Sequence, residues 1–344
     1  MFSRILQDNP FLHPVVHDVT AGQSRDNVPR LQLVSIQLAG LAPKLERLCL
    51  RDGSFYAMPA FRVMVRQHRS LASLFVKNVS FHSVGDVVQL LSSLTQLKHF
   101  RMSNISWVAP STTRPCISSR KTLVRISSLY VGADGGWIAD ARTSALFSWF
   151  VRSGFTEALT AADLSGMPIS TSRNLEDVEA VIRCSARSLV FTALKFSADA
   201  CPSMLSNALS TISQLRTFYL FVPDHLPSLV DTVQFFSGLS CSSLRDIRIC
   251  LEKLPPHTTS GRPAALRKLD RVLQLPQYSS LRRVTLDHRR GDILAEYFMD
   301  DFCHPVQSEE RRRTETTQLF SLTHKRGILW YWPVMSRGPV HIPQ

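Results

Sequence analysis

The sequence contains no run approaching the roughly 18 apolar residues that a membrane-spanning helix needs, so no membrane span is expected. It contains no C-x-x-C pair. Its seven cysteines (Cys49, Cys116, Cys184, Cys201, Cys241, Cys250 and Cys303) are odd in number and widely spaced, which argues for a reducing compartment rather than a disulfide framework. Met1–Pro10 lacks the continuous apolar stretch of a secretory signal, so the expected location is cytoplasmic or nuclear. With 14 Gly and 19 Pro in 344 residues, collagen-like and low-complexity classes are excluded. A composition 44% hydrophobic and 19% charged can bury a core and is not that of a disordered chain. There is no G-x-G-x-x-G, P-loop, G-x-S-x-G, H-E-x-x-H or EF-hand loop. No catalytic residue, cofactor or metal ligand set is therefore expected, and the chain does not read as an enzyme.

Negative charge is scarce in the first part of the chain. No acidic residue occurs between Asp86 and Asp134. Residues 1–133 carry 16 Lys+Arg against 6 Asp+Glu, whereas residues 134–344 carry 24 against 21. The whole chain has a formal charge of +13. That sign favours acidic partners: nucleic acid, anionic lipid or an acidic protein surface.

What the sequence does have is a repeat. Leu45-Glu-Arg-Leu48-Cys-Leu50-Arg-Asp52-Gly-Ser-Phe55 aligns without gaps with Leu71-Ala-Ser-Leu74-Phe-Val76-Lys-Asn78-Val-Ser-Phe81. Both align with Leu97-Lys-His-Phe100-Arg-Met102-Ser-Asn104-Ile-Ser-Trp107, and successive copies start 26 residues apart. The L-x-x-(apolar)-x-(apolar) pattern returns at Ile126, Leu215, Leu244 and Leu281, more weakly at Leu159 and Leu189, and in degenerate form at Val16–Val19.

The last two apolar positions of each copy alternate with period two, as in a strand with one buried face. About 12 to 18 residues then remain for a return helix. The best of these is residues 83–94, with Ser83 as N-cap, Asp86 three residues on, and Val87, Leu90, Leu91 and Leu94 on one face. Ala60–Arg69, Thr143–Arg152, Leu175–Ala186 and Ser203–Ile212 read as equivalent helices. Strand plus helix at this period predicts an α/β leucine-rich-repeat solenoid, a horseshoe with a parallel concave sheet and convex helices. Residues 1–30 are expected to form an N-terminal cap, 31–290 the solenoid, and 291–344 a C-terminal cap. That cap is read as a helix over 308–325 ended by Gly327 and a strand over 328–332. Residues 110–121 and 255–262 read as loops, and Gly132–Gly136 as a turn. The usual repeat places Asn or Cys three residues after its last strand leucine. Here Asp52, Asn78 and Asn104 stand one residue earlier, so no continuous Asn ladder is expected.

These features together resemble the fungal F-box/leucine-rich-repeat proteins. The L-x-x-L-x-L strands carry the likeness, with Asn-Val-Ser-Phe (78–81), Asn-Ile-Ser-Trp (104–107), the Leu-Phe-Ser-Trp-Phe-Val-Arg-Ser-Gly helix end (146–154) and His324-Lys-Arg-Gly-Ile-Leu329. The resemblance implies repeats that hold a protein substrate for a ubiquitin ligase. In that family an F-box docking on the ligase adaptor precedes the repeats. The residues before Leu45 show no F-box-like run, so adaptor binding by this chain is not expected.

Other candidate chemistry reads as ordinary surface. His13 and His17 are separated by Pro14 with no third ligand, and Asp300, Asp301, Cys303 and His304 read as a solvated cap loop. Arg62, Arg66 and Arg69 read as a solvated helix face, and the sequons at Asn78 and Asn104 as by-products of the repeat. The residues between the strand apolars are the better candidates. Cys49, Phe75, Arg101, Tyr130, Asp163, Ala193, Tyr219, Arg248 and Thr285 should point away from the core, flanked by Arg47, Arg51, Lys77, His99, Phe191, Lys195, Phe221 and Arg283. Aromatics interleaved with arginine suit protein recognition. The expected partner-binding set is Phe75, Arg101, Tyr130, Tyr219, Arg248, Arg47, Lys77 and Phe191. A protein-interaction scaffold with an unknown protein ligand is the favoured reading, and a basic nucleic-acid or anionic-lipid binder the alternative.

Overall fold

The computed structural model describes residues 16–22, 42, 44–54, 70–108, 124–132, 141–169, 172–196, 203–223, 226–252, 261–287, 314, 316–331 and 340–341. The expected helix at Ala60–Arg69, the loops at 110–121 and 255–260, and residues His13 and 300–304 lie outside them. The chain divides into two compact units, Met1–Ala162 and Asp163–Gln344.

The first unit contains β1 (Asp18–Gly22), β2 (Arg47–Ser54), β3 (Ser73–Phe81), β4 (His99–Trp107) and β5 (Ser128–Gly132), hydrogen-bonded in that order. All four pairings are parallel. Their register follows the repeat: Leu48 is opposite Leu74, and Leu74 opposite Phe100. Each repeat is hooked to the one before by a single carbonyl that takes two successive N–H groups. His17 O accepts from Glu46 and Arg47, Glu46 O from Ala72 and Ser73, Ala72 O from Lys98 and His99, and Lys98 O from Ser127 and Ser128, all at 2.8–3.0 Å.

The return helices follow from local sequence. Helix α1 (Val84–Ser93) starts at Ser83, whose backbone N–H and hydroxyl both donate to the Asp86 carboxylate (3.0 and 3.1 Å). It buries Val84, Val87, Leu90 and Leu91. Helix α2 (Ala141–Arg152) buries Phe147, Trp149 and Phe150. Phe150 stacks on Phe155 at 5.2 Å and meets Phe100 of β4 edge-on at 6.4 Å. The inward strand residues Leu48, Leu50, Leu74, Val76, Phe100 and Met102 are all buried.

The strands contain a phase change. Asp52, Asn78 and Asn104 have φ near +54°, the left-handed region, which Asn and Asp tolerate better than other side chains. In β3 the buried residues are Leu74 and Val76 before this point, then Val79 and Phe81 after it. Pairing resumes beyond it, Gly53 to Val79 and Val79 to Ile105. The three side chains are linked: Asn104 Nδ2 donates to Asn78 Oδ1 at 2.8 Å, and Asn78 Nδ2 to Asp52 Oδ1 at 2.7 Å. The expectation that no ladder forms is thereby corrected. Moving the Asn one residue earlier does not break the ladder, because the left-handed residue is itself the corner that aligns it.

The second unit takes up β6 (Ala161–Ile169), which starts at the division, then β7 (Phe191–Phe196), β8 (Thr217–Pro223), β9 (Asp246–Glu252), β10 (Arg283–Asp287), β11 (Leu329–Tyr331) and β12 (Val340–His341), in that order. The described pairings are parallel from β7 to β11, and β12 runs antiparallel to β11. The double acceptor recurs at Val190, Arg216 and Arg245, at 2.7–3.1 Å. Helices α3 (Ser172–Cys184), α4 (Ser203–Ser210), α5 (Leu226–Gly238) and α6 (Arg262–Val272) return the chain. The first two coincide with expected helices; the last two were not singled out from the sequence. Phe218, Phe235 and Phe236 form the aromatic core, with rings 5.2–6.0 Å apart. Buried Tyr278 donates its hydroxyl to Phe236 O at 2.6 Å, and burial pushes that phenol well above its ordinary range.

The C-terminal helix α7 (Ser321–Lys325) is capped from outside its own segment. Asp270 of α6, fully buried, accepts the N–H groups of Leu322 (2.8 Å) and Thr323 (2.9 Å) and the Thr323 hydroxyl (2.6 Å). Gly327, at φ +66°, ends the helix as expected, and Leu329–Tyr331 is the expected strand. Each unit is thus a solenoid-like α/β stack of parallel strands and return segments. Among the described residues, no helix is long and apolar enough to cross a membrane.

The ladder makes a specific prediction. Asn78→Ala loses both the hydrogen bonds and the tolerance for positive φ, and is expected to cost about 2–3 kcal/mol in urea denaturation. Asn78→Gly keeps the backbone conformation and is expected to cost about 1 kcal/mol. Equal losses would show that the ladder, not the backbone conformation, sets the effect.

Candidate functional site

Because the strands of the first unit pair in constant register, side chains from successive repeats line up in rows on the sheet face away from the core. The central row is Thr20, Cys49, Phe75, Arg101 and Tyr130. One row precedes it, Asp18, Arg47, Ser73, His99 and Ser128. One follows it, Gly22, Arg51, Lys77, Ser103 and Gly132. Neighbouring strands are about 4.8 Å apart, so Phe75, Arg101 and Tyr130 are adjacent steps.

These three side chains form a sandwich. The Arg101 guanidinium lies 4.6 Å from the Phe75 ring centroid and 4.1 Å from that of Tyr130. Each such contact contributes about 0.5–1 kcal/mol. Glycine at 132 makes room for it: a Cβ there would lie 2.5 Å from the Tyr130 ring. The Tyr130 ring therefore lies back over Gly132 while Arg101 covers it. Arg101 is half-buried, and its Nε is enclosed without a hydrogen-bond partner among the described residues; so is Arg51 Nε.

The flanking charge is mostly basic. Arg47 is exposed and holds Asp18 through two parallel N–H donors, Nε and Nη2. Asp52 is engaged by Asn78. His17, read as surface, lies exposed 3.5 Å from Glu46. Half-buried Cys49 stands next to Phe75. Burial pushes its thiol up from 9.0; Arg51, then a hydrogen bond with Thr20, then Arg101 pull it part of the way back.

In the second unit the equivalent rows are closed rather than open. Tyr219, Arg248, Thr285 and Trp330 are in register, as are Lys195, Phe221, Cys250 and Asp287. Phe191 meets the Tyr219 ring edge-on at 5.0 Å, and both pack on a buried cluster of Ala193, Phe221 and Cys250. Arg248 is only 5% exposed. It lies over the Tyr219 ring at 5.4 Å and is ion-paired through Nη2 with Asp287, itself 1% exposed. The expectation of an open face at Ala193, Phe221, Arg248 and Thr285 is corrected. Period-two patterning assigns these residues to a face but does not register that bulky neighbours in adjacent strands cover them. Asp287, the partner that fixes Arg248, is absent from the expected set; its signal is an acid immediately after the last apolar residue of its copy, Leu286. Arg283 remains half-exposed, bonded to Asp246 at 3.0 Å and facing Trp330 at 5.7 Å.

Among the described residues no group of three or more His, Cys, Asp or Glu could hold a metal ion. The chain matches no protein-family model and no curated protein.

Two predictions follow from these environments. Asp287→Ala strands the buried Arg248 charge and is expected to destabilise by about 3–5 kcal/mol, whereas Asp246→Ala breaks a half-exposed pair and should cost about 1 kcal/mol or less, both measured by urea midpoint. For Cys49, a raised pKa keeps the thiol protonated near neutrality. Its alkylation, followed by peptide-resolved mass spectrometry, should half-saturate in rate above pH 9.0 and move higher still in Arg51→Gln. A midpoint below that value would contradict the assigned burial.

Proposed function

We propose that the protein is a non-catalytic protein-interaction scaffold, a leucine-rich-repeat solenoid whose parallel sheet lines a concave recognition face, resembling the substrate-binding part of an F-box ubiquitin-ligase receptor. One observation carries the reading: Phe75, Arg101 and Tyr130, from three successive repeats, are held as a stacked set on the outer sheet face of the first unit. Rigid rings and a guanidinium already ordered before binding lose little entropy when a partner docks. Lys77 and Arg47 border the same set. The buried pair of Arg248 and Asp287 and the packed Phe191 and Tyr219 support the second unit's own structure, so the proposed contact set is Phe75, Arg101, Tyr130, Lys77 and Arg47.

A nucleic-acid or anionic-lipid binder is the competing reading, favoured by the +13 charge. Phosphate-driven affinity falls by about 10³ or more between 50 and 200 mM salt when many phosphates are contacted.

The test is retention of a protein partner by immobilised full chain, compared with the Phe75→Ala/Arg101→Ala variant in moderate salt. The variant should stay folded, losing about 1–2 kcal/mol from two cation–π contacts, and should lose the partner. A partner retained equally by both proteins would move the interface elsewhere. Retention of nucleic acid alone, abolished by salt, would favour the competing reading.

A further inference from the structure

We propose that the Arg101 sandwich is a carboxylate-recognition slot, and that the partner presents an Asp or Glu side chain, or a chain-terminal carboxylate, edge-on to Arg101; this rests on the scaffold reading of the same face. The guanidinium carbon lies over two rings from the neighbouring strands, that of Phe75 at 4.6 Å and that of Tyr130 at 4.1 Å. Its Nε is enclosed without a hydrogen-bond partner among the described residues. Of its three nitrogens only Nε is enclosed in this way, so what an acid can reach is the pair of Nη atoms. A guanidinium edge matches a planar carboxylate through two parallel N–H···O bonds. A phosphate can offer the same fork two of its oxygens, so the phosphate arms of the test below separate the two. The rings also displace water from the ion, which strengthens its attraction for an opposite charge.

Among the described residues no acid is paired with Arg101, and the acid at the equivalent position of β6, Asp163, accepts the Ser165 N–H and hydroxyl at 3.0 and 2.6 Å. Across the three rows stand Arg47, Arg51, Lys77 and Arg101 against one carboxylate, Asp18. That carboxylate is held by Arg47, on the side of the face away from Tyr130. Gly132 keeps the slot open from below, since any side chain there would push the Tyr130 ring out of place. The face is thus complementary in charge to an acidic segment, and in shape to its flat acid group.

Fluorescence anisotropy with labelled hexaglutamate and hexaglutamine tests this on the full chain. Hexaglutamate should bind and hexaglutamine should not. Arg101→Gln should weaken hexaglutamate binding at least tenfold. Arg101→Lys, which keeps the charge without the planar fork, should restore only part of it, and it answers the question should the Gln variant fail to fold. Phe75→Leu should weaken binding severalfold with no change in charge. Arg187→Gln, which removes an exposed arginine of the second unit, should change affinity less than twofold. Several outcomes would overturn the slot: no hexaglutamate binding, equal binding of hexaglutamine, full activity in Arg101→Gln, or an equal loss in Arg187→Gln. Tighter, Arg101-dependent binding of a phosphoserine peptide or of single-stranded RNA would overturn it too, in favour of phosphate. If hexaglutamate fails while Phe75→Ala/Arg101→Ala still abolishes retention of a protein partner, the acid slot falls and the scaffold reading stands. If both fail, the face itself is not the interface.

Discussion

Constant register between parallel strands is the constraint from which the other features descend. In each unit, a carbonyl just before one strand takes two N–H groups from the start of the next, and the same offset recurs repeat after repeat. Parallel strands cannot be joined by a tight hairpin, so every repeat must spend a return segment, and that segment covers one sheet face. The covered face becomes the core of leucine, valine and phenylalanine. The other face becomes rows in which position n of every repeat is a neighbour of position n in the next. A sandwich such as Phe75, Arg101 and Tyr130 needs no loop to build it; three equivalent positions suffice.

The same register explains the side-chain ladder of Asp52, Asn78 and Asn104. A left-handed residue inside a strand is unfavourable by itself. Stacked three deep, each such residue places its amide against the one before. The corner is thereby stabilised by the repetition that requires it, and it sends Val79 and Phe81 back into the core after the strand has changed phase.

The two units use their outer faces differently, and the reason is chemical. In the first unit the rows mix two rings with several cations, and Arg51 and Arg101 stay half-exposed without a paired acid among the described residues. In the second unit Asp287 and Asp246 supply acids next to Arg248 and Arg283, and Ala193, Phe221 and Cys250 supply apolar cover. The cations there are consumed internally, and a buried pair of that kind serves the fold by fixing its neighbours rather than by meeting a partner.

The repeat pattern alone determined the strands from β1 to β10, their parallel direction, the inward positions from Leu45 to Leu286 and four of the return helices, because a period of 26 to 30 residues with two-residue alternation has few physical realisations; the antiparallel β12 has no counterpart in it. It also placed Phe75, Arg101 and Tyr130 side by side. The phase change was legible too, in two polar residues followed by a renewed apolar pair at Lys77-Asn78-Val79-Ser80-Phe81. Against the usual repeat these residues look like a displaced Asn; against their own alternation they mark a corner. Tertiary structure decided what pattern cannot encode: which outward residues remain open, which acid reaches which arginine, that Asp270 caps a helix some fifty residues later in the chain, and that Gly132 lets Tyr130 lie flat beneath Arg101. Those outcomes depend on side-chain size and reach between strands far apart in sequence, and distances of that kind exist only once the repeats have stacked.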